Sequence, residues 1–349
     1  MRALVIGGTG PTGPHVIGGL LHRGYTVSLL HRGLHEDASL PELEHIHADP
    51  YDVESLRGAV GDRYFDVVLA MYGRVRAIGE AVAGRCGQLV CISGTPVYQG
   101  LIDPHSVHPS GMKLQARENS PTVDQLRNPP RFAAAIRSAE QYVLGQRDRG
   151  AYRVAGVRYP QIYGPRNVIP WEWPIVKRVL DGRARMIIPD DGLWIVTRCA
   201  ARNAAEAVLR IADNADVADG KYYNIADDDQ FTIRQLAELI VSRMGGEMEL
   251  VGIPGELAPS GFREYVPPGG RPHMLLDISA AKAELGYREV ISARDALNAT
   301  VDWQTSNPID LAGYPTYRPW FDYGAEDRIL EVWERAAAEL KSVTAQALG

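Results

Sequence analysis

Short apolar runs alternate with amphipathic stretches over the first half of the chain. The apolar runs have the length of buried strands, and they predict strands at 3–6, 26–30, 45–47, 67–70, 88–92 and 154–158. The stretches between them have helical spacing, which predicts helices over 15–23, 53–60, 74–83 and 132–147. Strands that alternate with helices are typical of a parallel sheet with helices on both faces. The pattern therefore predicts an α/β fold with a doubly wound parallel sheet.

The pattern becomes irregular after Pro160, where Trp, Pro and Arg are frequent. Helical spacing returns near 174–180, 201–211, 233–244 and 279–285, and a further strand is expected at 222–225. We predict a first domain over 1–165 that is rejoined by about 195–230. A smaller C-terminal lobe over 166–305 and a helical C-terminal extension over 306–349 complete the predicted organisation.

The first apolar run leads at once into a glycine-rich turn, in which Gly7, Gly10 and Gly13 are three residues apart. Glycine allows the positive φ of a tight turn and a close approach of the backbone to a phosphate. The helix that follows offers N–H groups and the positive end of its dipole to an anion. This arrangement predicts a Rossmann-like dinucleotide site, and a glycine turn without a ligand is the alternative. The predicted contacts there are Gly7, Thr9, Gly10, Pro11, Thr12 and Gly13.

Charge and composition narrow the classes of partner. The 349 residues include 37 Lys and Arg against 43 Asp and Glu, a net charge of −6, so no nucleic-acid partner is expected. Without a signal peptide or an apolar run of membrane length, the chain is predicted to be cytoplasmic with no membrane partner. Cys86, Cys91 and Cys199 are unclustered and are predicted to be reduced core thiols. No metal site is expected, because no CxxC or paired-histidine motif was identified.

Seven motifs occur in an order that resembles a known family. They lie at 7–16, 65–70, 89–98, 118–121, 158–166, 223–236 and 276–287. Over about residues 1–305 the chain resembles the extended short-chain dehydrogenases/reductases, also called the NAD-dependent epimerase/dehydratase family. The resemblance implies a dinucleotide-binding first domain, a lobe that binds a small-molecule substrate, and a homodimer. It also implies cofactor contacts from Ala70, Ser93, Pro160 and Ile162.

The residues after the second strand bear on which dinucleotide is bound. Family members that prefer NAD usually carry an acid there, whereas this chain has Leu30-His31-Arg32-Gly33. Arg32 can form a charge-assisted fork with a 2′-phosphate, which favours NADP and leaves NAD as the alternative. Arg32 as a solvated loop residue also stays open. Asp49 matches the family's aspartate beside the adenine amine, or else it caps the following helix.

The catalytic pattern of the family is broken in this chain. The family uses a Tyr and a Lys four residues later for proton transfer, with a Ser or Thr after the fifth strand. Counting back from Glu140 places Phe132 and Ile136 at the Tyr and Lys positions, and residues 118–140 contain neither Tyr nor Lys. Gly94 falls at the hydroxyl position, and Ser93 and Thr95 flank it.

Two hypotheses follow from this break. In the first, the chain is an NAD(P)-dependent oxidoreductase or epimerase/dehydratase-type enzyme with relocated acid–base groups, acting on a small organic or sugar-derived substrate. Tyr98 is then the first candidate proton carrier, helped by Ser93 or Thr95, unless Tyr98 is a packed loop aromatic. In the second, the chain is a non-catalytic NAD(P)-binding sensor or scaffold. Further candidate side chains are Tyr72, Tyr163, His105, His108, Arg74 and Arg131, with an aromatic-rich segment at 261–273.

Overall fold

The computed structural model describes residues 1–33, 40, 42–71, 73–258, 273–310 and 319–348. The strands are β1 (Arg2–Ile6), β2 (Thr26–His31), β3 (Glu44–His47), β4 (Phe65–Ala70), β5 (Cys86–Gly94), β6 (Arg153–Tyr159), β7 (Gln161–Tyr163), β8 (Arg185–Pro189), β9 (Arg198–Ala200), β10 (Lys221–Asn224) and β11 (Glu249–Ile253). The helices are α1 (Gly13–His22), α2 (Val53–Val60), α3 (Val75–Ala81), α4 (Arg131–Asp148), α5 (Trp173–Leu180), α6 (Ala201–Asp213), α7 (Ala215–Ala218), α8 (Ile233–Arg243), α9 (Ser279–Leu285), α10 (Ala293–Ser306) and α11 (Tyr323–Leu348).

Within these residues, seven parallel strands form one sheet in the order β10-β6-β5-β4-β1-β2-β3. Alternate residues of β1 face opposite sides of this sheet. Val5 joins a buried cluster with Val16 of α1 and Val208 of α6, whereas Ile6 joins a second cluster that includes residues of α2, α3 and α4. Helices therefore cover both faces, which confirms the predicted Rossmann-like α/β fold.

The chain divides into two compact units. The first comprises Met1–Ile169, Val196–Gln230 and His273–Leu297. It contains the seven-stranded sheet and the short parallel pair β7–β9. The predicted roles of a dinucleotide domain and a substrate lobe stay predictions.

The second unit comprises Pro170–Ile195 with the described parts of 231–272 and 298–349. It is built around the parallel pair β8–β11. Arg178 of α5 is buried and hydrogen-bonds to the Glu326 carboxylate of α11 at 3.1 Å and to the Trp320 carbonyl at 2.9 Å. The Glu326 carboxylate also accepts the Ile187 N–H of β8 at 3.0 Å. The beginning of the long C-terminal helix is thus fixed to this unit by a buried ion pair.

Two further predictions concern the cysteines and the membrane. Cys86, Cys91 and Cys199 are buried and form no disulfide, as predicted. Among the described residues, no helix combines the length and the apolar character that crossing a membrane requires.

Candidate functional site

The strand order reverses at β1, which lies between β2 and β4. Ile6 at the end of β1 is level with Leu30 of β2 and with Ala70 of β4. In doubly wound sheets, ligands bind at the carboxyl ends of the strands at such a switch point. Several predicted cofactor contacts lie at this same edge of the sheet. They are the glycine turn after β1, Ala70 at the end of β4, Ser93 near the end of β5 and Pro160 directly after β6.

The turn after β1 has the backbone geometry that its glycines predict. Gly7 and Gly8 have φ values of +83° and +115°, which side chains rarely allow. A Cβ at Gly13 would lie 1.9 Å from the Gly8 carbonyl oxygen, so the turn can close only with glycine there. Thr12 precedes α1 and makes no side-chain capping hydrogen bond. The Gly13 N–H donates to the Gly10 carbonyl at 3.1 Å and Pro14 has no N–H, so His15 is the residue in the first turn of α1 whose N–H can face an anion.

A buried ion pair fixes helix α4 against the end of the sheet. The Glu140 carboxylate accepts two hydrogen bonds of 3.0 Å from Arg158 of β6 and one of 2.5 Å from the Ser93 hydroxyl of β5. Arg137 donates a further bond of 2.8 Å to the same carboxylate. Glu140 and Arg158 are 1% and 4% exposed. The register of α4 is therefore set by contacts with both β5 and β6.

That register gives α4 an apolar face at the end of β5. Phe132 and Ile136 precede Glu140 by eight and four residues, so the three share one side of the helix. Ile136 Cδ1 lies 3.9 Å from the position a Cβ would take on Gly94, the last residue of β5. Phe132 lies in the first turn of α4 with 65% of its surface exposed. Neither side chain can donate or accept a proton.

Tyr98, the first candidate proton carrier, is 1% exposed. Its hydroxyl donates to Asn224 Oδ1 at 2.7 Å and accepts from Arg158 Nη1 at 2.9 Å. Burial raises the pKa of Tyr98 above its usual value, although Arg158 opposes this shift. A proton carrier needs access to its substrate and a pKa near the working pH. This geometry favours the alternative of a packed loop aromatic, and catalysis by Tyr98 stays a prediction without structural support.

Replacing Tyr98 with Phe is therefore expected to change stability more than turnover. The buried Asn224 amide oxygen would lose its hydrogen-bond donor, the Tyr98 hydroxyl. This loss should lower the free energy of unfolding by about 1–3 kcal/mol. Urea denaturation measures this as a lower midpoint with an unchanged slope. Tyr64→Phe is the matched control, because Tyr64 is 53% exposed. A large fall in kcat with unchanged stability would restore Tyr98 as a proton carrier.

The other predicted catalytic side chains have varied surroundings. Thr95 is buried, and Tyr163 is buried with its hydroxyl on Asp227 Oδ2 at 2.6 Å. His105 and His108 are exposed residues of the segment after β5. Tyr72 and residues 261–272 lie outside the described residues. Arg131 and Arg74 are the first residue of α4 and the residue before α3.

The predicted adenosine contacts lie after β2 and β3. Arg32 is exposed and directly follows β2. The Asp49 carboxylate accepts the Tyr51 N–H at 3.0 Å. The alternative that Asp49 caps α2 is wrong, since Asp52 is the cap and accepts the Ser55 N–H at 2.8 Å. Asp49 is thus a turn residue at the strand edge, and its role beside an adenine stays a prediction.

Solved structures with a similar fold cover most of this chain. UDP-glucose 4-epimerase from Thermotoga maritima, solved with UDP-glucose, has a TM-score of 0.69 at 18% identity over 88% of this chain and 99% of its own. UDP-glucuronic acid 4-epimerase from Bacillus cereus, solved with UDP-glucuronic acid and NAD, has a TM-score of 0.68 at 18% identity over 88% and 100%. dTDP-glucose 4,6-dehydratase from Bacillus anthracis, solved with NAD, has a TM-score of 0.65 at 17% identity over 88% and 97%.

This chain has the fold of the extended short-chain dehydrogenases/reductases. Proteins that resemble this chain in sequence do so at low identity or over a short segment. A UDP-N-acetyl-alpha-D-glucosaminuronate decarboxylase from Bacillus cytotoxicus is 24% identical over 86% of this chain and 97% of its own. GDP-L-fucose synthase 1 from Arabidopsis thaliana is 36% identical, but over only 25% of this chain and 23% of its own length. No protein-family model matches the chain.

Two features of this extended short-chain dehydrogenase fold escaped the sequence prediction. The sequence pattern places Arg158 in a strand but gives no sign of its buried contacts with Glu140 and Tyr98. A charged residue at the end of an apolar strand was the available signal. His45 and His47 alternate along β3 and lie beside His31. The His-x-His spacing on a predicted strand was the signal there, because alternate residues of a strand share a face.

Proposed function

We propose that the chain is an NAD(P)-dependent enzyme of the oxidoreductase or epimerase/dehydratase type. Its substrate is a small organic or sugar-derived molecule, and its acid–base groups differ from the Tyr–Lys pair. The solved proteins that share the fold include two epimerases and a dehydratase named for nucleotide sugars, which supports this class of substrate. These proteins are only 17–18% identical to this chain, so the proposal rests mainly on the residues of this chain itself.

The observation that carries the proposal is the space beside Gly10. A Cβ on Gly13 would collide with the Gly8 backbone, so protein packing alone explains that glycine. A Cβ on Gly10 would meet no atom of the described residues within 4 Å. Packing within the described residues thus gives no reason for glycine at this position, whereas a phosphate that approaches the backbone does. The glycine turn fits a dinucleotide pyrophosphate.

The residues of this chain would divide the work around such a cofactor. The backbone of the glycine turn and the His15 N–H in the first turn of α1 would hold the pyrophosphate. When bound, a nicotinamide gives or takes a hydride at its C4 atom. Ile136 and Gly94 would present an apolar wall at the end of β5 that excludes water. Since Phe132 and Ile136 carry no proton, a proton needed by the reaction must come from another residue, from the substrate or from solvent.

The proposed cofactor is either NAD or NADP. Solved neighbours bound to NAD favour NAD. The exposed Arg32 after β2 favours NADP, because a guanidinium forms paired hydrogen bonds with a phosphate. We expect the wild-type protein to bind NAD, and we expect Arg32 to add affinity wherever a 2′-phosphate is present.

Arg32→Glu tests the role of this arginine directly. Reversing its charge should weaken NADP binding by about tenfold or more, or about 1.4 kcal/mol, and change NAD binding much less. Titration of both dinucleotides by protein fluorescence or calorimetry measures the two constants. Arg127→Glu is a control that reverses an exposed arginine before α4. Equal losses for NAD and NADP would reject contact between Arg32 and the 2′-phosphate.

Turnover separates an enzyme from the sensor or scaffold hypothesis. The absorbance of the reduced cofactor is followed against panels of carbonyl, imine and sugar-nucleotide compounds, in both reaction directions. Epimerases return the cofactor to its starting state, so product analysis accompanies the sugar-nucleotide panel. Turnover by the wild type that is lost in Gly10→Val, where a side chain fills the space beside the glycine turn, supports the enzyme. Tight dinucleotide binding without turnover on any panel would support the sensor instead.

The homodimer and the cytoplasmic location stay predictions.

A further inference from the structure

Three histidines lie together at the edge of the central sheet. His31 ends β2, and His45 and His47 belong to the edge strand β3. In the parallel register, His31 pairs with His47 and Leu29 pairs with His45. Because alternate residues of a strand share a face, all three imidazoles project from the same side of the sheet. We call these residues the histidine cluster.

The ring nitrogens of the histidine cluster converge. His31 Nε2 lies 2.8 Å from His45 Nδ1, and the His31 ring centroid lies 5.0 Å and 5.1 Å from those of His45 and His47. One ring nitrogen from each residue lies within 4.8 Å of the others. His31 is buried, whereas His45 and His47 are exposed. We propose that the histidine cluster binds a divalent transition-metal ion, with Zn²⁺ as the expected ion.

The distances are close to those of a three-histidine zinc site. Zinc–nitrogen bonds of 2.0–2.1 Å in tetrahedral geometry place neighbouring nitrogens roughly 3.3 Å apart. The nitrogens of His31 and His45, 2.8 Å apart, must therefore separate slightly, and the His47 nitrogen, within 4.8 Å of both, must adjust to the same spacing. Rotation about the side-chain torsions of the exposed His45 and His47 provides both movements. The fourth position is then left for water or another ligand.

The chemistry of the ligands selects the kind of metal. Neutral imidazoles favour Zn²⁺, Cu²⁺ and Ni²⁺, whereas Mg²⁺ and Ca²⁺ prefer oxygen ligands. The nearest acid in β3, Glu44, binds Ser28 and Arg63 instead. Glu44 precedes His45 by one residue and so projects from the other face of the strand. The histidine cluster is therefore a nitrogen site without a carboxylate from β3.

Gly33 holds the buried member of the cluster in place. Its N–H donates to His31 Nδ1 at 3.1 Å, and its φ of +73° favours glycine. With Nδ1 as acceptor, the His31 ring proton lies on Nε2 and points at His45 Nδ1. A metal ion takes the place of that proton, which moves to Nδ1 and ends the contact with Gly33. One neutral hydrogen bond is a small loss against three metal–nitrogen bonds.

Metal titration of the untagged protein tests the proposal. After dialysis against a chelator, the full chain is titrated with Co²⁺ by visible absorption and with Zn²⁺ in competition with a chromophoric chelator. We expect one ion per chain and the absorption of tetrahedral Co²⁺. His45→Ala and His47→Ala should each weaken Zn²⁺ binding by at least about tenfold. Both residues are exposed, so folding should survive.

His105→Ala is the matched control, since it removes an exposed imidazole of the segment after β5. This variant should bind Zn²⁺ as the wild type does. Zn²⁺ should also raise the melting temperature of the wild type and of the control, but not of His45→Ala with His47→Ala combined. Equal Zn²⁺ affinity in the wild type and in that double variant would overturn the proposal, as would the absence of tetrahedral Co²⁺ absorption.

Discussion

Replacing Gly10 with Val is expected to remove dinucleotide binding and leave the fold intact. Apart from its two chain neighbours, a Cβ on Gly10 meets no described atom within 4 Å, so the new side chain starts in open space. It would instead fill the space that the pyrophosphate is proposed to occupy. We expect NAD and NADP affinity to fall by about 100-fold or more, or about 2.7 kcal/mol. Calorimetric titration gives the affinities, and circular dichroism with thermal melting checks the fold.

Gly18→Val is the control for this prediction. Gly18 belongs to α1, and a Cβ there also meets no atom of the described residues within 4 Å. Its substitution adds the same side chain one and a half turns into the helix, away from the glycine turn. Dinucleotide binding should survive in this control. Unchanged binding in Gly10→Val would contradict the proposed cofactor site, whatever the outcome of the turnover assays.

Replacing Glu140 with Ala is expected to have the largest effect on stability. It removes the carboxylate that pairs with the buried Arg158 guanidinium and accepts the Ser93 hydroxyl. A buried charge left without its partner costs about 3–5 kcal/mol. Because the same pair sets the register of α4, Ile136 should also lose its fixed position beside Gly94. Urea denaturation followed by circular dichroism measures the loss in the free energy of unfolding.

Two further variants keep this prediction testable. Asp62→Ala removes a carboxylate from the exposed pair with Arg85, and it should change stability little. Glu140→Gln keeps the shape of the side chain, and it provides the measurement if Glu140→Ala does not fold. A loss in Glu140→Ala or Glu140→Gln no larger than in Asp62→Ala would contradict a stabilising role for the buried pair.

Much of the sheet was predictable from local pattern. The apolar runs at 3–6, 67–70 and 154–158 lie within β1, β4 and β6. The short strands β7, β8, β9 and β11 were not predicted, because three to five residues in an irregular, proline-rich region give little periodicity. Helix α10 was likewise missed, although its bounds, Ala293–Ser306, are long enough for a helical pattern.

The candidate site was predictable in part, and Tyr98 shows the limit. Its place after β5 made it a candidate, but its hydrogen bonds reach 60 residues along the chain to Arg158 and 126 residues to Asn224. No local pattern reports which side chains will surround a hydroxyl at such separations. The histidine cluster shows the same limit, because His31 and His45 are 14 residues apart.

Local sequence is enough to predict the alternation of strands and helices and the glycine turn, and it shows that residues 118–140 contain neither Tyr nor Lys. These features are local, because helical and strand periods and the φ freedom of glycine act within a few residues. Tertiary packing, by contrast, buries Tyr98 against Arg158 and Asn224, fixes α4 through Glu140 and brings three histidines together at the sheet edge. Burial and the choice of partner depend on which distant segments pack together, and this packing determines desolvation, pKa and access.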